Sequence, residues 1–356
     1  MSNRTMKAAV LMELNQPLRI IELEVPAPES GQVLVKVIAS GICNTQLLEI
    51  KGENTAGPQN PNLLGHEGAG IVEEVGPNIT KVKKGDHVIL SWIKGSGVNV
   101  LPKKYDYEDK KINAGFVTTF NEYCLASENR VTSIPKEIPF PEAALIGCAV
   151  ATGAGVVFNN AKVKPNQSVM VVGAGGVGIN IIHASSIAQA NPIIAVDVND
   201  DKLKLAQKMG ATHTINSLTE NVTSKIKEIA GEQGLDYAFE AVGRKDTMEL
   251  VYSSVKRNSG RAVLCGVPKP GMKIEIDPFP LYFGRQIVGT GGGECNPDVD
   301  FNKFCTMYLE GKLHLGDMIS HKLSLDEINQ GIELMQKGAC CRIVIDMSME
   351  KWTKSI

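Results

Sequence analysis

The chain has 356 residues, 43% of them hydrophobic and 21% charged, with a formal net charge of −2. That length allows two domains with substantial cores, and the near-neutral balance gives no electrostatic reason to expect nucleic acid or an anionic membrane as partner. Eight cysteines without an N-terminal secretory pattern point to a reduced, cytoplasmic protein whose thiols are core residues or metal ligands, and the apolar stretches read as strand-length, so no membrane span is expected.

Residues 7–38 alternate apolar and polar side chains between Pro and Gly breaks (KAAVLMEL, LRIIELEVP, QVLVKVIAS), the pattern of short antiparallel strands. Further strands are expected at 68–76 and 86–92. Residues 94–113 are polar and charged and read as a long irregular loop, a feature that is often functional in a compact domain. Its Lys103, Lys104, Tyr105 and Tyr107 are candidates for contact with a polar substrate. From Pro141 the pattern turns helical, through PEAALIGCAVATGAGVVFNN.

Residues 168–197 carry the strongest local signal. Val169, Met170, Val171 and Val172 form an apolar run, as in a strand buried on both faces. Gly173-Ala174-Gly175-Gly176-Val177-Gly178 follows at once as G-x-G-x-x-G, then a helix over 179–190 and a second strand ending in Asp197, 19 residues after Gly178. Gly173 permits the tight turn, Gly175 lets a pyrophosphate approach the backbone, and Gly178 lets helix and strand pack closely. The helix N-terminus offers unpaired N–H groups to phosphates. Asp197 can accept hydrogen bonds from a ribose and would repel a 2′-phosphate, so NAD is expected over NADP. The bland alternative is a glycine turn in an α/β domain without a ligand.

Beyond Asp197 strands and helices alternate: helix 200–209, strand 211–216, helix 222–230, strand 236–243, helix 247–255, strand 260–266 and a last strand at 287–293. This alternation predicts a doubly wound parallel sheet, a Rossmann domain. Helices near 300–310 and 325–337 and a terminal strand RIVIDM follow. The β-rich beginning and this tail are expected to form one domain (1–150 and 292–356) into which the Rossmann unit (151–291) is inserted.

Three dispersed pieces suggest a metal site: Cys43 in SGICNT, His66 with Glu67 in GHEGAG, and Cys148 in IGCAVATG. Two thiolates and an imidazole suit zinc, and three protein ligands leave a fourth position open, as catalytic zinc needs. Spacing alone is weak support, since most cysteines are core residues and most histidines are not ligands.

GHEGAGIVEEVG, with SGIC upstream and GAGGVG downstream, resembles the zinc-containing medium-chain alcohol dehydrogenases, and the likeness continues through VDVNDDKLKLAQKMGAT and FEAVGRKDTM to RIVIDM. The resemblance implies a GroES-like catalytic domain, the inserted Rossmann domain, and zinc and NAD held between them. At matching positions Cys43, His66 and Cys148 become zinc ligands, and Glu67 a carboxylate able to approach the metal. Thr45 becomes the hydroxyl that starts a proton relay, and Trp92 a wall of the substrate pocket. Asp197 and Lys202 match positions holding the adenosine ribose. Arg244 and Arg342 match basic residues used around the cofactor or domain contacts, with a plain salt bridge the alternative for each. The implied reaction is reversible hydride transfer between NAD and an alcohol, aldehyde or ketone, with a polyol or sugar suggested by the polar loop. The implied assembly is a homo-oligomer, a dimer or tetramer.

Departures from the family pattern qualify this. Leu48 stands where many members carry a relay histidine, and Gln46 where many carry an aspartate that orients the ligand histidine. Residues 91–123 contain none of the four cysteines of the family's structural-zinc lobe, so one zinc per subunit is expected. The rival readings are a zinc-free, NADPH-dependent quinone or enone reductase of the same superfamily, and a nucleotide-binding protein without turnover.

Overall fold

The computed structural model describes residues 4–53 and 60–349, which fall into two compact units, Met1–Cys148 with Asn296–Ile356 and, between them in sequence, Ala149–Cys295.

The first unit is β-rich. Its main sheet is organised on the long strand Gln32–Ile42, which pairs antiparallel with Glu67–Val75, Tyr123–Ser127 and Arg342–Asp346. Glu67–Val75 in turn pairs with His87–Ser91, and that strand with Val131–Ser133. Thr5–Leu11 and Arg19–Glu24 form a separate antiparallel pair. The alternation in RIIELE appears directly in its burial, Ile21 and Leu23 facing inward. The segment expected to be irregular, 94–113, instead contains a small hairpin, Tyr105–Tyr107 against Lys110–Ile112. Tyr105 and Ile112 are buried with Met6, Val10 and Leu63, so apolar burial orders what composition alone reads as loop.

The second unit is a six-stranded, all-parallel sheet in the order His213–Asn216, Ile193–Asp197, Val169–Val172, Tyr237–Glu240, Arg261–Leu264, Gln286–Gly289. The central strands are buried on both faces, which is why they read as unbroken apolar runs. The helix after Val169–Val172, Gly176–Ile187, begins inside the glycine motif rather than after it. The last strand stops at Gly289, and Gly292 and Gly293, at φ 61° and 67°, turn the chain into a short 3-10 segment, Gly292–Glu294.

One expectation about apolar length fails. Helical segments run without a break from Phe140 to Ala161, 22 residues apolar enough to cross a membrane by length and composition. In the structure 83% of the most apolar window is buried inside the protein, which accounts for its composition without a bilayer.

Candidate metal centre and nucleotide cradle

The end of Gln32–Ile42 delivers Cys43 to the start of the helix Asn44–Lys51. The helix start is closed by Gln46, whose Oε1 accepts from the Cys43 N–H at 2.9 Å, one half of a capping box. His66 immediately precedes the strand Glu67–Val75. Cys148 lies in a π-helical turn, Ile146–Val150, a geometry that recurs at functional sites. Gly147 lets that turn approach the sheet: a Cβ there would stand 2.6 Å from Leu90 O and 3.4 Å from Glu67 Cα. Ser91 Oγ donates to Gly147 O at 2.6 Å and fastens the approach.

The result is a cluster in which one ligand atom each from Cys43, His66 and Cys148 lie within 4.8 Å of one another. Zinc bonds of about 2.0–2.3 Å to nitrogen and sulfur fit inside such a triangle, so the donor set suits that ion by number, type and spacing. The Cys43 thiol is held well below its ordinary pKa. The hydrogen bond with Cys148 is the largest cause; burial opposes it, and a hydrogen bond and charge from His66 and the charge of Arg342 add to it.

Around these donors the chain departs from simple expectation. Gln46 Nε2 lies 2.6 Å from His66 Nδ1, so Nε2 is the ring nitrogen left to meet the thiols. The Cys43 N–H fixes the amide oxygen, so the amide NH2 faces Nδ1 and the ring proton sits on Nε2. Ligation through the ring Nε2 calls for the other tautomer, with Nδ1–H donating to an amide oxygen, so the Gln46 amide must rotate as the ring proton moves from Nε2 to Nδ1. The same Nε2 of Gln46 donates to Glu49 Oε2 at 3.4 Å, and Glu49, whose pKa burial pushes up, is a neighbour that pattern reading missed.

Glu67 does not join the three donors. Its carboxylate, buried in the first unit, pairs with Arg342 Nη2 in an ion pair that bridges strands 275 positions apart. Gly41 leaves room for it, since a Cβ there would lie 2.6 Å from Glu67 Oε1. Glu67, expected as a carboxylate able to approach the metal, has its negative charge matched here by an arginine, which holds it in place. Arg342, expected near cofactor, is buried as that partner. Thr45 Oγ1 lies 3.7 Å from Cys43 Sγ. Trp92 follows the strand His87–Ser91, is 42% exposed, and donates its N–H to His66 O at 3.1 Å.

In the second unit each glycine of the motif meets a distinct demand. Gly173 has φ +93°. A Cβ on Gly178 would fall 1.7 Å from Gly173 O, and one on Gly175 would point into open space, where a phosphate could approach. Gly175 is the N-cap and no side chain caps the helix, leaving the first N–H groups of Gly176, Val177 and Gly178 for a ligand. Asp197 anchors the cradle, accepting from Ala174 N at 2.7 Å through Oδ2 and from Val198 N and Asn199 N through Oδ1. Lys202 lies half-buried in the following helix, Asp200–Lys208. Arg244 is exposed and bonded to Asp246 at 2.9 and 3.0 Å, the salt-bridge alternative.

Comparison with known proteins agrees with this site. A family profile described as "Alcohol dehydrogenase GroES-like domain" matches residues 29–136, and one described as "Zinc-binding dehydrogenase" matches 176–307. The chain is 34% identical, over 95% of its length and 99% of the relative's, to an S-(hydroxymethyl)glutathione dehydrogenase of Paracoccus denitrificans. It is 33% identical, with the same coverage, to an alcohol dehydrogenase class-3 of Cereibacter sphaeroides. The crystal structure of benzyl alcohol dehydrogenase from Acinetobacter calcoaceticus superposes with a TM-score of 0.88 at 30% identity, covering 97% of this chain and 100% of that one. A GroES-like β-rich domain joined to a parallel-sheet Rossmann domain defines the class as a dehydrogenase of the medium-chain type. The chain belongs to the zinc-containing medium-chain alcohol dehydrogenase family.

Proposed function

We propose that the chain is a cytoplasmic alcohol dehydrogenase that binds one zinc per subunit at Cys43, His66 and Cys148 and uses NAD in preference to NADP. The observation that carries this is the meeting of those three side chains, brought from positions far apart in sequence. When bound, zinc supplies Lewis acidity toward the substrate oxygen and NAD accepts the hydride. The chain's own part is positional and protolytic. Thr45 Oγ1, beside the ligand thiolate, accepts the substrate hydroxyl proton as it gives its own to water, because Leu48, one turn along the same helix, has no group to receive it. The open Gly175 backbone and the uncapped helix end bind pyrophosphate, and the Asp197 carboxylate selects an unphosphorylated ribose.

The site favours a simple alcohol or aldehyde over a polyol. Two of the four loop residues that suggested a polar substrate are engaged elsewhere: Lys103 pairs with Glu29 at 2.6 Å and Tyr105 is buried. A zinc-free reductase would have no use for the Cys–His–Cys cluster. We also place self-association at the strand Gln286–Gly289, unpaired on its outer side among the described residues and flanked by exposed Phe279, Tyr282 and Phe283. A monomer in sedimentation velocity at micromolar protein would remove that part.

Metal analysis tests the core of the proposal. Wild type should carry about one zinc per subunit, Cys148→Ser should lose most of it, and wild type alone should reduce NAD with a panel of alcohols. Zinc-free protein that reduces quinones with NADPH would sink it, and two zincs would refute the stoichiometry.

A further inference from the structure

Arg130 closes the 3-10 turn Glu128–Arg130, just before the strand Val131–Ser133 that pairs with His87–Ser91. Its Nη1 donates to the carbonyl of Trp92, and its guanidinium carbon lies 4.9 Å over the Phe116 ring centroid. Trp92 is the residue whose N–H is bonded to His66 O, so one peptide unit and two hydrogen bonds separate the cation from a metal-ligand residue. By ordinary bond lengths that path is roughly 10 Å. All of these residues belong to the first unit.

Arg130 lies beside this centre without a counter-charge among the described residues. Its Nε is buried with no hydrogen-bond partner, and among the described residues no carboxylate pairs with it. Arg342, a buried arginine of the same unit, has Glu67. Burial pushes the Arg130 pKa down, the sign of a desolvated cation that nothing nearby compensates. A structural strap between two strand ends accounts for the bond to Trp92 O. It does not account for a desolvated cation with no carboxylate partner, stacked over the 36% exposed ring of Phe116 and bonded to the backbone of the 42% exposed Trp92.

We propose that Arg130, lying over Phe116 and bonded to the Trp92 carbonyl, binds an oxyanion carried by the substrate, which makes that substrate a compact alcohol or aldehyde bearing a carboxylate or a phosphate. Arginine's planar fork matches both groups, and the stacked ring fixes its plane. The inference rests on the dehydrogenase reading above and adds the substrate class to it.

The test uses matched alcohols with the full-length, zinc-loaded protein: 4-(hydroxymethyl)benzoate against benzyl alcohol, and 3-hydroxypropyl phosphate against 1-propanol. Wild type should favour the charged member of at least one pair in kcat/KM, the pair that responds identifying carboxylate or phosphate. In Arg130→Gln the charged-to-neutral ratio should fall tenfold or more, mostly through KM, and Arg130→Lys should lie between. Binding is read separately by Trp92 fluorescence in a Trp352→Phe background, which leaves one tryptophan. Benzoate or inorganic phosphate should titrate the signal saturably, at least tenfold more weakly in Arg130→Gln. If that variant does not fold, Arg130→Lys must still lower both the ratio and the affinity. Equal ratios and equal titrations across wild type and variants overturn the inference and leave the dehydrogenase reading standing. Arg130-dependent titration with no alcohol oxidised supports the anion site and counts against the dehydrogenase reading.

Discussion

Gln46 shows how much one side chain can be asked to do. Its oxygen closes the helix start that aims Cys43, and its nitrogen side sets the ring of His66 and reaches Glu49. An amide can serve either tautomer by rotating, whereas a carboxylate at this place would hold Nδ1–H permanently. Glu49, one turn further on, supplies a negative charge at one remove. Gln46→Ala should therefore weaken zinc binding by about 10–100-fold, the usual cost of losing a partner that orients a ligand histidine, while leaving the fold intact. Competition with a chromophoric zinc chelator measures it. Unchanged affinity would mean that the thiolates alone place the metal and that the contact with His66 is incidental. The sequence indicated that position 46 faces the ligand histidine, but not that a second acidic residue stands behind it, because Glu49 becomes a neighbour only through the pitch of the helix Asn44–Lys51.

At the scale of elements, legibility followed sequence distance. The glycine motif, its helix and Asp197 form one contiguous stretch, so every physical demand on it could be read locally. The metal ligands could be joined only through family resemblance, and the Arg342–Glu67 pair, 275 positions apart, is invisible to pattern. The segment without cysteines is the clearest case. What holds 94–100 in place is a set of acidic clamps from distant parts of the first unit. Glu128 accepts from the N–H groups of Thr80, Lys81 and Val98 at 2.6–3.0 Å and from the Thr80 hydroxyl at 3.1 Å. Asp298 accepts from Ser96 N at 2.7 Å and pairs with Lys81 at 2.5 Å. Burial would raise the Glu128 pKa, but the hydrogen bonds outweigh it and hold the carboxyl below its ordinary range. A lowered folded pKa gives stability that is fully present above the unfolded value, about 4.3, and is lost as pH falls through the folded one. Glu128→Gln should cost about 1–3 kcal/mol at pH 7. The gap between wild type and variant in urea midpoint should narrow on going from pH 6 toward pH 3. A gap that is absent at pH 7, or the same at both ends, would show that the clamp contributes little as an anion.

At the scale of the whole molecule, the two chemistries are assigned to different units. Every metal donor lies in Met1–Cys148, and the glycine cradle with Asp197 lies in Ala149–Cys295. Each site is built from the strand ends of its own sheet: Cys43 and His66 from antiparallel neighbours, Gly173 and Asp197 from parallel ones. Binding of metal and of dinucleotide should then be separable by mutation even though the proposed turnover needs both. Cys148→Ser, stripped of zinc, should bind NADH with a Kd within about threefold of wild type, read by nicotinamide fluorescence. Asp197→Ala should keep its zinc while losing about tenfold or more in NADH affinity, equivalent to ~1.4 kcal/mol, because a ribose acceptor and the anchor of Ala174 N disappear together. Its preference for NAD over NADP should shrink by a larger factor, since the charge that repels a 2′-phosphate goes with them. Loss of NADH binding in Cys148→Ser would mean that the ligand triad also holds the nucleotide unit in its folded form. In that event the metal would be a structural requirement of the whole chain as well as a catalytic one.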